Sequence, residues 1–460
     1  MAVAPLAWIV LLVVAGALAL RALLLWLFAL AANGPVMYGE GAVAHAGSII
    51  ARGGDPYGPA RAGMFVAANY SPLAYLVAAM GESIGPFFAL RFASIIATLS
   101  VAVAIAWRAR HQRLQAIALG ASFLALVPVE VWGPAHRSDP LAIALTALAI
   151  LAAAPSWWRA GIAGASASLA VYAKPTSVLP LAVVFAYLLW RERDVAVRTI
   201  GAAVIAAVAL GAFSLARFDA AGLVDHVVRR NQLPLDFGQL PSLLIACLIT
   251  IGVFIVAGLR TSDGRLRAYV AGGALVLLLG AREGATINYF LDLAVASCLG
   301  VVTVAARTQN PLLPLALAAQ LVLGAVFFRP LDASATTGAW SDPRRAALAS
   351  DLARTSPHLA EESGVLVANG IDPIVDDLFL WSRLVAIGAI VDDVTPRILD
   401  GEFATVIAEV SLEGLDRAPA FERQRWPPTL ARAVLTAYRL DVSADHFYKY
   451  VPRRILVRLE

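Results

Sequence analysis

Long apolar stretches recur through the first 328 residues of this chain, and they limit what it can fold into. A helix needs about 20 apolar residues to cross the hydrocarbon of a bilayer. Eleven stretches come close to that length and predict eleven spanning helices: 6–32, 87–107, 114–132, 139–154, 159–173, 175–190, 195–216, 241–259, 266–281, 286–306 and 311–328. The sequence therefore predicts an α-helical polytopic membrane protein.

Composition supports this prediction. Of the 460 residues, 60% are hydrophobic and 15% are charged, and the mean hydropathy is +0.75. A soluble domain is about half apolar and about a quarter charged. Cys247 and Cys298 both fall inside apolar stretches, so we expect no disulfide framework. The first stretch is interpreted as a retained helix instead of a cleaved signal peptide.

The arginines predict which way the chain crosses the membrane, because short cytoplasmic loops are rich in Lys and Arg. Stretch 72–83 is too short to cross and is interpreted as a helix lying in the interface. The arginines of the short loops then share the cytoplasmic side: Arg108, Arg110, Arg113, Arg159, Arg191, Arg193, Arg198, Arg260, Arg265, Arg267 and Arg307. The polar segment 33–86, the polar loop 217–240 and the C-terminal tail are then predicted to lie outside. The modest net charge of +4 does not indicate a nucleic-acid partner.

The chain divides into two predicted domains. Residues 1–328 form the membrane module, and 33–86 is its first external loop, with turn-rich ends around an amphipathic segment at 40–51. Residues 329–460 are too polar to span and predict a small α/β domain outside the membrane. In that domain, 365–368 and 404–408 are predicted as buried strands, and 376–386 and 428–438 as helices.

Ionisable and polar residues gather on the predicted external side. Charged groups at membrane depth are costly and are candidates for function. The candidates are Glu40, Asp55, Arg91, His136, Arg137, Asp139, Lys174, Arg282, Asn288 and Tyr289. Simpler interpretations stay open: Asp55 as a turn residue, Asp139 as a helix cap or partner of Arg137, Lys174 as a snorkelling side chain, and Arg282 as a partner of Glu283. His45 and His226 are interpreted as solvated.

Several short motifs occur in the same order as in a known family. They are Asp55-Pro56-Tyr57, Ser71-Pro72-Leu73, Ala89-Leu90-Arg91, the run 136–141 (HRSDPL), the run 173–176 (AKPT) and the run 288–291 (NYFL). In this order and layout, residues 30–300 resemble the membrane glycosyltransferases of the GT-C superfamily, which include protein O-mannosyltransferases and aminoarabinose transferases. Gly39-Glu40 stands where that family often has Asp-Glu, and Tyr70-Ser71-Pro72-Leu73 stands where relatives have His-Pro-Pro-Leu.

The resemblance implies an inverting glycosyltransferase that uses a polyprenyl-phosphate sugar at the external face of a bacterial plasma membrane. Its acceptor would be an envelope glycan, lipid or protein. It implies Glu40 as the catalytic base, with Asp55 behind it. Arg91, Lys174 and Arg282 would hold the phosphate, Asp139 would orient a cation or the sugar, and His136, Arg137, Asn288 and Tyr289 would line the donor site.

Other functions remain open at this stage. A membrane transporter or lipid flippase is the first alternative, and a non-catalytic envelope-assembly protein is the second. A transporter would need polar groups near the bilayer centre, where the sequence places only Arg21. The sequence indicates no certain cofactor and leaves open a divalent cation, Mg or Mn.

Overall fold

The computed structural model of the chain describes residues 3–61, 63–328, 352, 356–444 and 447–453. A helix forms at each of the eleven predicted positions. The α-helices of the first 328 residues are α1 (Val3–Ala31), α2 (Glu40–Ala51), α3 (Leu73–Ala79), α4 (Phe88–Arg108), α5 (Arg113–Leu124), α6 (Val127–Trp132), α7 (Asp139–Ala152), α8 (Trp157–Ala173), α9 (Val178–Arg191), α10 (Arg193–Arg217), α11 (Ala220–Val224), α12 (Leu240–Leu259), α13 (Gly264–Leu278), α14 (Leu291–Ala305) and α15 (Leu312–Phe328).

Six helices in the described ranges are long and apolar enough to cross a bilayer, and four more apolar helices are shorter. The chain is thus an integral membrane protein by fold, while the number of eleven spans stays a prediction. The predicted helix at 114–132 is two helices, α5 and α6. Leu126 between them is extended, and Pro128 stands at the start of α6. Proline cannot donate an intrahelical hydrogen bond but fits the first turn of a helix, so it starts a new one.

The first external loop contains two short helices. α2 has the bounds predicted for the amphipathic segment, and nine of its residues are buried. α3 has only seven residues, about 10 Å of helix at 1.5 Å per residue, so it cannot cross a membrane. Its predicted place in the membrane interface stays a prediction.

The C-terminal part is a small α/β unit, as predicted. Its strands β1 (His358–Ala360), β2 (Thr405–Ala408), β3 (Tyr438–Ala444) and β4 (Phe447–Pro452) form one sheet in the order β1-β2-β4-β3. β1 and β2 are parallel, and the other pairs are antiparallel. Its described helices are α16 (Gly364–Ala368), α17 (Leu378–Ala386), α18 (Val394–Leu399), α19 (Ala420–Arg425) and α20 (Pro428–Ala437). Trp381, Trp426 and Tyr450 lie in its core.

One of the two strand predictions was wrong. Residues 405–408 are a strand, but Val365–Ala368 belongs to helix α16. A run of four apolar residues carries no periodicity that separates a buried strand from a buried helical turn. The predicted domain boundary at residue 329 lies outside the described residues.

The C-terminal unit packs on the first external loop through buried acidic groups. The Glu362 carboxylate accepts hydrogen bonds from the backbone N–H groups of Gly39 (2.5 Å) and Gly41 (2.9 Å). A Cβ atom on Gly41 would lie 2.0 Å from the backbone nitrogen of Gly364, so only glycine allows this approach. Asp376 accepts a hydrogen bond from the backbone N–H of Ala67 and bonds His45 (3.0 Å). The loop is therefore held between the membrane helices and this unit.

Candidate functional site

A cavity of about 760 Å³ lies where helix ends, the 33–86 and 217–240 loops and the C-terminal unit meet. Five of the ten predicted site residues line it: Arg137, Lys174, Arg282, Asn288 and Tyr289. The cavity has three cations from three separate loops of the membrane module. Such a concave site with a few convergent polar groups is the usual form of a ligand pocket.

Lys174 is fixed in the cavity wall by a carboxylate behind it. Its ammonium lies 2.5 Å from Oδ1 of Asp139, which also accepts a hydrogen bond from the Asn288 side chain at 2.8 Å. The Lys174 ammonium also lies over the ring of Tyr289, 5.0 Å from its centroid. Asp139 is the first residue of α7 and does not itself line the cavity. Its carboxylate fixes the Lys174 ammonium in place. The roles of Asp139 and Lys174 toward a donor stay predictions.

Arg282 and Arg137 line the same cavity from other elements. Arg282 donates a hydrogen bond to the side-chain oxygen of Asn231 at 2.9 Å. Arg137 donates to the carbonyl oxygen of Gly39 at 3.1 Å. Glu283 binds Arg383 of the C-terminal unit instead of Arg282. Neither cavity arginine forms an ion pair with any residue that the structure describes, so both guanidinium groups can take an anionic ligand.

Glu40, Arg91 and His136 form a buried cluster behind the cavity and do not line it. Glu40 and Arg91 are both fully buried, 2.5 Å apart. The other Glu40 oxygen accepts the backbone N–H of His136 at 2.7 Å. Arg91 also donates to carbonyl oxygens at the end of α1 and in the turn after it, including those of Ala29 and Gly34. These contacts tie the first loop to helices α1 and α4.

The charges of this cluster follow from its contacts. Burial raises the pKa of Glu40, but the Arg91 guanidinium and the other donors outweigh burial and hold that pKa below its usual value. Burial lowers the pKa of the His136 imidazole to about 3, so the ring is neutral. Its Nδ1–H donates to the carbonyl oxygen of Phe87 at 3.0 Å. Glu40 as the base and Arg91 and His136 as donor ligands stay predictions, which this geometry does not favour.

Asp55 is a turn residue in the structure. Its Oδ1 accepts the backbone N–H of Tyr57 at 2.9 Å, and its Oδ2 accepts that of Asp219 at 2.6 Å. It joins the first external loop to the 217–240 loop and does not line the cavity. The turn interpretation fits these contacts, and the role of a second catalytic carboxylate stays a prediction.

The cavity also contains residues that were not among the predicted site residues. They are Tyr38, Asn69, Tyr70, Asn231, Glu283, Asp377, Phe379 and Phe421. Asn231 belongs to the polar loop that the sequence had placed outside. Asp377 is the N-cap of helix α17, whose position the sequence had also predicted. Nothing in the sequence indicated that residues of the C-terminal unit form one wall of the cavity.

An apolar groove of about 740 Å³ adjoins this cavity. Its lining comes mainly from α8, α9, α10 and the 217–240 loop, with residues such as Val171, Phe185 and Ala207. Pro175 and Val227 line both spaces. The polar cavity with its cations and the apolar groove therefore lie next to each other.

Solved structures share this architecture. The chain superposes on ArnT from Cupriavidus metallidurans bound to undecaprenyl phosphate with a TM-score of 0.60, and on the same protein in the apo state with 0.59. Each comparison covers 96% of this chain and 97% of that chain, at 14% identity. The chain has the ArnT fold. ArnT is an aminoarabinose transferase of the GT-C superfamily, so the fold implied by the motif order is confirmed. No protein-family model and no curated protein sequence matches the chain.

Within the described ranges, no group of three or more His, Cys, Asp or Glu side chains is placed to hold a metal ion. Two carboxylates at or behind the cavity wall have cationic partners: Asp139 binds Lys174, and Glu283 binds Arg383. These residues therefore give no support for the divalent cation that the sequence left open.

Proposed function

We propose that this chain is an inverting glycosyltransferase that takes a sugar from a polyprenyl-phosphate donor. One observation carries the proposal: a cavity with three cations adjoins an apolar groove, and the two share Pro175 and Val227. A prenyl-phosphate sugar has the matching parts, an anionic sugar-bearing head and a long hydrocarbon tail. The fold supports the same class, because a protein with this fold has been solved with undecaprenyl phosphate bound.

The cations have a defined task in this reaction. When the bond between the sugar and the phosphate breaks, negative charge grows on the phosphate, and fixed donors stabilise that charge in the transition state. Lys174, Arg282 and Arg137 are the proposed donors. Asp139 and Asn231 fix Lys174 and Arg282 in advance, so little reorganisation is needed. Asn288 and Tyr289 are proposed to line the donor head.

We place the reaction at the external face of a bacterial plasma membrane, with an envelope glycan, lipid or protein as the acceptor. The arginine distribution supports this orientation. A prenyl-linked donor carries its sugar to that face, so the reaction there does not depend on a nucleotide sugar. The transporter alternative has less support. Described polar groups inside the helix bundle bind each other: Arg21 binds Glu130, and Tyr269 binds Asp292. None of these four residues lines the polar cavity or the apolar groove.

Filling the apolar groove tests the proposed position of the tail. Ala207 lines the groove on α10, whereas Ala209 is exposed on the same helix and does not line it. Ala207→Trp should displace about two methylenes of the tail at about 0.8 kcal/mol each, which weakens binding of undecaprenyl phosphate about tenfold. Ala209→Trp is the matched control and should bind like wild type. Equal affinities for all three proteins in a titration would contradict this position of the tail.

A further inference from the structure

Only two carboxylates among the described residues line the cation-bearing cavity, Glu283 and Asp377. Both oxygens of Glu283 accept hydrogen bonds from Arg383, at 2.7 and 2.8 Å. Asp377 differs. Its Oδ1 accepts the Tyr38 hydroxyl and the backbone N–H of Leu380, both at 3.0 Å. No described residue donates a hydrogen bond to its Oδ2, so that oxygen can accept a proton from a ligand.

The wall around Asp377 is aromatic. Tyr38, Phe379 and Phe421 line the cavity beside it. The rings of Phe379 and Phe421 have centroids 5.1 Å apart, and Tyr38 meets Phe421 edge-on at 5.6 Å. Arg425 lies 3.8 Å from the Tyr38 ring centroid and binds Glu361, which fixes the wall from behind. Rings with electron-rich faces next to a carboxylate suit a ligand that carries both C–H faces and hydroxyl groups.

We propose that Asp377 is the general base for a hydroxyl acceptor and that this aromatic wall binds the acceptor sugar. The inference rests on the proposed function and assigns the base to the C-terminal unit instead of the first external loop. The acceptor oxygen attacks the anomeric carbon of the donor, and the bond from that carbon to the phosphate oxygen breaks with its electron pair staying on the phosphate. The acceptor proton passes to Asp377 Oδ2 and then to water, and prenyl phosphate leaves.

The charge of this wall selects the chemistry of the acceptor. A hydroxyl is a weak nucleophile until a base takes its proton, so a carboxylate beside it raises the rate. An anionic phosphate acceptor needs no base and is repelled by a carboxylate. The acceptor is therefore a neutral sugar hydroxyl, as on a glycan or glycolipid.

The substitution Asp377→Asn tests the proposal with little disturbance of the fold. Asparagine keeps an oxygen for Tyr38 and Leu380 and is a good N-cap for α17. The assay uses the purified full chain, undecaprenyl-phosphate-linked mannose, glucose and arabinose as donor probes, and octyl glucoside as the hydroxyl acceptor. We expect kcat to fall about 100- to 10,000-fold, the usual range for loss of a general base, with binding of undecaprenyl phosphate unchanged. Asp377→Glu should recover part of the activity.

A matched control and a chemical rescue separate catalysis from structure. Asp372 lies in the same contact between the C-terminal unit and the first loop, where it binds Arg52 at 2.8 Å, but it does not line the cavity. Asp372→Asn should keep wild-type kcat. Azide needs no proton removed, so Asp377→Ala supplied with azide should form a glycosyl azide of inverted configuration, which a merely structural role would not produce.

The outcomes distinguish this inference from the proposed function. A folded Asp377→Asn protein with wild-type kcat overturns the assignment of the base, and the glycosyltransferase stands. Wild-type transfer to octyl phosphate but not to octyl glucoside overturns the hydroxyl acceptor, again with the transferase intact. Wild-type protein that transfers from none of the lipid-linked donors overturns both.

Discussion

Arg282→Ala is expected to lower kcat/KM for a polyprenyl-phosphate sugar by about 100-fold, the typical loss when one preorganised donor to a developing charge is removed. The variant should fold normally. Among the described residues no carboxylate pairs with Arg282, and Asn231 is its described side-chain partner, so no buried charge is left behind. Steady-state rates together with a thermal melt measure both effects.

Two further variants sharpen this test. Arg282→Lys keeps the charge but loses the planar two-pronged grip, so it should recover only part of the activity. Arg267 is exposed near the start of α13, the helix that precedes the Arg282 loop, on the predicted cytoplasmic side. Arg267→Ala removes the same charge and should leave kcat/KM unchanged. If the Arg282→Ala enzyme kept wild-type kcat/KM, the proposal that the Arg282 guanidinium binds the donor phosphate would be wrong.

Glu40→Gln is expected to destabilise the protein by about 3–5 kcal/mol, the usual cost of leaving one partner of a buried ion pair without its counter-charge. Glu40 and Arg91 are both fully buried. The pKa of Glu40 is lowered in the fold, so its stabilisation is complete above its ordinary value of 4.5 and is lost as the pH falls below it. A thermal melt at pH 7 should show the loss in Glu40→Gln.

A double substitution separates this structural role from the catalytic one implied by the family resemblance. Glu40→Gln combined with Arg91→Met removes both charges, so it should be more stable than Glu40→Gln alone. Glu82 is half-buried in the same loop and accepts a hydrogen bond from Ser48, and Glu82→Gln serves as the control. A Glu40→Gln protein that melts like wild type yet does not turn over would support Glu40 as the base.

Much of the membrane module could be predicted from the sequence because apolar length is a strong signal. Helices form at all the predicted positions, and α2 has its predicted bounds. Errors occurred where the signal was local and short. Pro128 split one predicted helix, and the four apolar residues at 365–368 form a helical turn instead of a strand.

The candidate site was predictable only in part. The predicted topology brought Arg137, Lys174 and Arg282 to one side of the membrane, and the structure brings them to one cavity. The predicted topology could not show which charged side chains pair with each other. Glu40 and Arg91 were both predicted near the site, but they neutralise each other behind it. Such pairing depends on packing between residues far apart in sequence.

The docking of the C-terminal unit was likewise invisible in the sequence. His45 and His226 were expected to be solvated, and both are buried, His45 against Asp376 of that unit and His226 on the backbone of the first loop. The same contact brings Asp377 into the cavity wall. A contact between residues more than 300 positions apart leaves no periodicity or motif in a single sequence.

The central claim is that the donor is a prenyl-phosphate sugar held by cavity cations. It is tested most directly by incubating the purified full chain with undecaprenyl-phosphate-linked mannose, glucose and arabinose, and separately with the corresponding nucleotide sugars, with envelope lipids and octyl glucoside as acceptors. We expect transfer from at least one lipid-linked donor, none from any nucleotide sugar, and a loss of about 100-fold in Arg282→Ala. Equal transfer from nucleotide sugars, or no transfer from any lipid-linked donor, would contradict the claim.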